Sequence, residues 1–250
     1  MAGSEWIEAI KRQRVGVKIV LALGGLVVIG LVIFGGLYAF GAFLFYDSYE
    51  SSYNYETRLS VDGATEDLVL VAPVPVHNDE ADIGEINLYT YDDQVGDWEY
   101  AVIDTEHGPM LEIRISEITG ADELVFESTV YSDRTIETKA PRGVEPVLSP
   151  MYDVEELDAS LERRPDTKLY TLTSMAYAEH GGPGDVELSL VVRHEGANTW
   201  WTFGWSGNHY ETYVTTFGAT PDPAGEWFRL EGDHREGAGS YARFGPPLPQ

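Results

Sequence analysis

The sequence predicts a mainly β protein: an N-terminal transmembrane α-helix followed by an antiparallel β-sandwich-type domain with one short helix. Three observations carry this. Residues 19–45, "IVLALGGLVVIGLVIFGGLYAFGAFLF", contain no charge. From Tyr53 onward, apolar residues recur at every second position rather than at helical spacing. The alternating runs then return at a spacing of roughly 8–14 residues with turn residues between most of them, the rhythm of a sandwich or barrel.

Residues 1–18 read as a cytoplasmic tail. In "SEWIEAIKRQR", Ser4 is a plausible N-cap, and Trp6, Ile7 and Ile10 cluster at helical spacing, as in a short interfacial helix. The simpler reading is a retention tail ending in Lys11, Arg12, Arg14 and Lys18. The apolar run that follows reaches about 40 Å as a helix, against a hydrocarbon core of roughly 30 Å. It spans with tilt, or leaves its aromatic end (Tyr38, Phe40, Phe43, Phe45, Tyr46) at the interface. Four basic residues precede it, while Asp47 and Glu50 follow it. The positive-inside rule therefore places the N-terminus in the cytoplasm and residues 46–250 outside. A cleaved signal peptide, cut after Gly41, is the alternative, but the run far exceeds a usual signal core. Glycine stripes (Gly25 with Gly36, Gly30 with Gly41) would let helices approach, and are also common in any membrane helix.

In the outer region, "YNYETRLSV" alternates as a half-buried strand. "LVLVAPVPV" is apolar on both faces until Pro73 and Pro75 make it an edge or an exit. "EINLYTY", "DWEYAVI", "MLEIRIS" and "ELVFESTVY" follow. Residues 140–166 break the rhythm and mark a candidate sub-boundary. Within them "YDVEELDASLERR" predicts the short helix, because Asp153 and Glu156 fit a capping box and Val154, Leu157 and Leu161 share a helical face. Strands resume at "KLYTLTSMAYA", "DVELSLVVRH", "NTWWTFGW", "HYETYVTT" and "EWFRLE". "EGAGSYARFGPPLPQ" reads as a loop and tail.

Composition bounds the chemistry. There is no cysteine, which removes disulfides, thiolate metal sites and cysteine nucleophiles together. The formal charge is −26, and beyond residue 18 there are 12 basic against 40 acidic residues, with only Lys139 and Lys168 as lysines. Such a surface argues against nucleic-acid binding, which needs cations facing phosphates. Two readings of the acidity compete: a patch for a basic partner, or a whole surface adapted to very high salt. The acids are spread along the chain without a run of five, which favours the second. At about 1 M salt the Debye length is roughly 3 Å, so repulsion among carboxylates is screened while net charge maintains solubility.

Candidate sites are few. "DTEHGP" (104–109) has catalytic vocabulary, yet it lies between alternating strands, where Gly108 can take positive φ and Pro109 can open a strand. It reads as a hairpin reversal with His107 exposed at its tip. "AEHGGPGDVELSL" (178–190) repeats the pattern and suggests a repeated hairpin or merely convergent turn chemistry; a His107/His180 metal pair is the minor alternative. "GWSGN" does not match the G-x-S-x-G nucleophile elbow, and no H-E-x-x-H or phosphate-binding glycine loop occurs. The densest unusual composition is 195–213, where Asn198, Trp200, Trp201, Trp205 and His209 form either a carbohydrate platform or a tryptophan-rich core hairpin. No catalytic, cofactor-binding or metal-ligating residue is assigned, and no cofactor is expected.

"YNYETRLSV", "APVPV", "DTEHGPMLEI" and "GANTWWTFGWSGNHY", with the acidic outer region, resemble a group of haloarchaeal single-pass membrane-anchored surface proteins. The resemblance implies a location and a lifestyle, and carries over no catalytic residue. The expectation is a plasma-membrane protein held in the lipid bilayer through residues 19–45, with a structural or protein-binding role outside and no enzymatic activity. An extracellular glycan-binding module using 198–210 is the alternative, and a surface hydrolase ranks below it.

Overall fold

A computed structural model describes residues 2–90, 95–120, 122–157, 167–182, 186–201, 209–221 and 224–240. Among the described residues, one helix, α1 (Ala2–Ser48), precedes thirteen strands: β1 (Glu50–Asp62), β2 (Thr65–His77), β3 (Glu80–Ala81), β4 (Asn87–Thr90), β5 (Trp98–Thr105), β6 (Gly108–Ile118), β7 (Asp122–Ser132), β8 (Val147–Ser149), β9 (Tyr152–Leu157), β10 (Lys168–Gly181), β11 (Glu187–Trp200), β12 (His209–Ala219) and β13 (Ala224–Ser240). The expected organisation, one apolar N-terminal helix and an antiparallel β domain, is what forms. The helix runs unbroken from Ala2, so "SEWIEAIKRQR" continues into the apolar segment instead of forming a separate element. Its stretch Ala22–Ser48 is long and apolar enough to cross a membrane, with a mean hydropathy of 2.3.

The main sheet follows the order β4-β7-β1-β11-β12-β13-β10-β2-β6-β5. It curls on itself into two layers, β4-β7-β1-β11-β12 and β13-β10-β2-β6-β5, joined by the β12–β13 pairing. Contacts between strands that are not neighbours in the sheet show the layers facing each other. The Tyr55 hydroxyl of β1 donates to the Pro73 carbonyl of β2, and the Trp98 ring of β5 lies 5.6 Å from Phe126 of β7. Connections cross between layers at one end, among them β1 to β2, β6 to β7 and β10 to β11. Registers Val61↔Asp122, Thr65↔Ile118 and Gly181↔Glu66 place these arches together, while Glu50↔Thr199 places α1 at the opposite end.

Alternation explains the interior. Leu59 and Val61, Leu68 and Leu70, Ile113 and Ile115, Leu188, Leu190 and Val192 share strand parity and are buried together in one large cluster near the arches. Fully burying such a side chain is worth roughly 1.5–3 kcal/mol. The two prolines of β2 lie beyond Val71, where pairing with β10 has ended and β2 leaves to pair with β8 and β3. The missing N–H groups therefore cost that ladder nothing.

Three expectations need correction. Tyr152–Leu157 form strand β9 rather than the start of a helix; residues 158–166 lie outside the described set. Strand β2 pairs with β10 only at 177–181, leaving the edge at 169–173 open, and β9 fills it. The helical face had no core to meet, since Val154 and Leu157 are exposed. The second "EHG" segment is also no hairpin: it ends β10 in one layer and leads to β11 in the other. Finally, "EGAGS" continues β13 to Ser240, paired with Tyr210, where a loop was expected.

Candidate functional site

The turn at "DTEHGP" joins β5 to β6 through Glu106 and His107, with Thr105 opposite Gly108. Gly108 has φ of +100°, as a reversal requires, and the Thr105 hydroxyl donates to its carbonyl. His107 departs from expectation by being half-buried. Its ring meets Trp227 edge-on at 4.7 Å, and its Nδ1 lies 3.0 Å from the Tyr152 hydroxyl. Tyr177 packs on the other side of Trp227. This small aromatic cluster lies on the outer sheet face. His180 sits near the arches, at Gly181↔Glu66, whereas the His107 turn lies beyond Pro73↔Met110. Seven residues of β2 separate those registers, about 23 Å at strand rise, too far for one ion. Among the described residues, no group of three or more potential ligands gathers to hold a metal.

The tryptophan-rich segment divides. Trp200 is buried against Phe45 and Tyr49. Asn198 is fully buried: its Oδ1 accepts from the Ser51 hydroxyl and the Ile136 N–H, and its Nδ2 donates to the Ile136 carbonyl. Both are structural residues. Trp201 is half-buried, and residues 202–208, including Trp205 and Ser206, lie outside the described set.

The strongest concentration of polar chemistry is one that the motif search did not single out. The helix-side half of the interior, between the layers, is polar. It holds Tyr53, His194, Glu211, Tyr213, His234 and Glu236, all buried, and is closed by the segment 133–150. Glu145 from that segment has no exposed side-chain surface. It accepts two bonds from Arg134, both 2.7 Å, one from the Tyr53 hydroxyl at 2.6 Å and one from the Glu137 N–H at 2.7 Å. Glu236 is held by Arg142 at 3.0 Å and Tyr170 at 3.3 Å, with Lys168 at 3.9 Å. Glu211 has Lys139 at 3.7 Å and Thr138 at 3.5 Å, and desolvation raises its pKa. Buried carboxylates survive when paired and hydrogen-bonded; each of the three has a cationic partner, and Glu145 is the most completely bonded.

Both buried histidines are neutral at pH 7. Burial lowers His194 to about 4 and also lowers His234. His194 Nε2 donates to the Pro146 carbonyl at 3.0 Å, which the Tyr213 hydroxyl also engages. His234 Nδ1 lies 2.8 Å from the Thr215 hydroxyl, and its Nε2 lies 3.4 Å from Glu236. Burial, with nearby carboxylate charge, raises Tyr213 and Tyr53 far above an ordinary phenol. A histidine, a tyrosine and carboxylates together are the raw materials of acid–base catalysis; here most polar ends are turned to neighbours inside the fold, while His194 Nδ1 and His234 Nε2 have no hydrogen-bond partner among the described residues. The arrangement locks segment 133–150 into the open end of the sheet.

Strand parity was the available signal for part of this layer. His194 shares it with Leu188, Leu190 and Val192, and His234 and Glu236 share it with Leu230. Glu145 and Pro146 had no such signal, because they lie in an irregular segment.

A second feature built at the same end is the junction with α1. Tyr49 alone separates the helix from β1. Phe45 is 1% exposed, packed on Trp200 and Tyr49. The Ser48 hydroxyl accepts from the Trp201 N–H at 2.8 Å and donates back to the Leu44 carbonyl at 2.6 Å. No family model, curated protein or solved structure matches this chain.

Proposed function

We propose that the chain is a cell-surface protein of a high-salt envelope, anchored by one membrane pass, with a structural or protein-binding β domain outside. The observation that carries this reading is the junction just described. An apolar helix of membrane length is joined to the β domain by one residue and by buried aromatic packing, so the domain is presented at a fixed place relative to the helix. The polar interior supports a scaffold role, since its carboxylates are paired with cations inside the fold and each buried histidine bonds a neighbour through one ring nitrogen.

The charge distribution supports the high-salt part. Each of the nine described basic residues beyond α1 pairs with a carboxylate. With acids in such excess an exposed pairing says little, and surface pairs contribute only about 0–1 kcal/mol. The informative cases are Arg134, Lys139, Arg142 and Lys168, which neutralise the buried or nearly buried Glu145, Glu211 and Glu236. Both outer lysines are among them. The remaining excess of carboxylates repels itself unless salt screens it.

Thermal melting of the full chain in detergent, from molar salt down to ~0.1 M, tests this. The Tm should fall steeply as salt is removed, and a Tm that does not fall would overturn the high-salt reading. Glycan binding by the intact protein that vanishes on Trp205→Ala would replace the scaffold role with the carbohydrate-binding one.

A further inference from the structure

We propose that the base of the β domain is seated in the lipid headgroup layer, touching it through Phe43, Tyr46 and Trp201. This rests on the reading that α1 crosses the bilayer. A tethered domain usually floats on a linker, and this chain has none: α1 ends at Ser48 and β1 begins at Glu50. The last helical turns are also part of the domain, with Phe45 buried and Ser48 bonded to Trp201.

Length places the boundary. The large apolar side chains at Val20 and from Leu23 to Phe40 are exposed along the helix, a span of about 31 Å at helical rise, close to a hydrocarbon core of roughly 30 Å. From Gly41 the domain begins to cover the helix: Gly41, Ala42 and Leu44 are partly covered and Phe45 is buried. Protein contact therefore starts where lipid contact has to end. On the uncovered side of those last turns Phe43 is 61% exposed and Tyr46 51% exposed. Trp201 lies at the same level on the covered side of the helix, where its backbone N–H is bonded to Ser48, and is half-buried. Aromatic rings with a polar edge favour the depth of the headgroups. Asp47 and Glu50, both exposed, stop the base from sinking further. Molar salt screens their repulsion from anionic headgroups.

The absence of native cysteine makes the test direct. Full chains carrying Glu50→Cys at the base, Asp62→Cys at the arch end, or Val32→Cys in the helix are labelled with bimane. They are reconstituted in vesicles of phosphatidylcholine and phosphatidylglycerol at molar salt. Lipids spin-labelled at the headgroup should quench the Glu50→Cys probe several-fold more than the Asp62→Cys probe. Adding Trp201→Ser should reduce that quenching by about half, with the fold checked by circular dichroism. Equal quenching at the two positions overturns the seating. The Val32→Cys probe separates the two ideas: quenching there by acyl-chain labels keeps the membrane pass even if the seating fails, and its absence removes both.

Discussion

His194 shows how a residue can have catalytic chemistry and a structural task. The folded state keeps it neutral down to about pH 4, whereas an unfolded chain protonates histidine near 6.5. Between those values the unfolded state binds more protons, so stability falls as pH drops through that window. The loss from this residue alone reaches about 3 kcal/mol. His234 acts in the same direction, and the raised carboxyl of Glu211 in the opposite one. We expect His194→Gln to flatten the dependence of denaturant stability on pH between 7 and 4.5 at constant high salt; an unchanged slope would contradict the assignment. Gly196 is a second case. A Cβ there would overlap the Tyr213 ring, whereas one at Gly218 meets only ordinary contacts. Gly196→Ala should cost about 1–3 kcal/mol in urea unfolding, and Gly218→Ala far less. The inward position of His194 was legible from strand parity. The need for glycine at 196 was not, because it depends on a ring from the neighbouring strand.

Among the elements, α1 and the long strands were the readable parts, since each declares its period over ten or more residues. The failures share a physical cause. "YDVEELDASLERR" has helical spacing and a capping box, but local propensity yields to an open sheet edge that needs a partner. The two "EHG" turns look alike because turn chemistry records a reversal and not which layer the next strand joins. Residues 140–150, the start of the stretch that breaks the strand rhythm, belong to the plug 133–150 that closes the polar half. Its anchor is testable. Arg134→Ala would leave Glu145 buried with its main counter-charge removed, a change that typically costs about 3–5 kcal/mol. The exposed Arg58 pair, removed by Arg58→Ala, should cost about 0–1 kcal/mol. Equal effects of the two substitutions, read from urea midpoints at molar salt, would show that the plug is not held by this pair.

For the molecule as a whole, the polar and apolar halves of the interior lie along one axis. The arches and the large apolar cluster are at the far end, and the plug, the buried carboxylates and the helix junction are at the near end. Stability therefore depends on two terms with different salt responses. Apolar burial is strengthened by excluded salts, and acidic repulsion is screened by any salt. On the proposed reading, the near end lies against the outer membrane surface and residues 1–18 lie in the cytoplasm. Cysteine scanning of intact cells tests that most directly. Asp62→Cys should react with a membrane-impermeant maleimide in intact cells, and Ser4→Cys only after the membrane is opened. Labelling of Ser4→Cys from outside with Asp62→Cys protected, or recovery of the full chain in the soluble fraction, would contradict it.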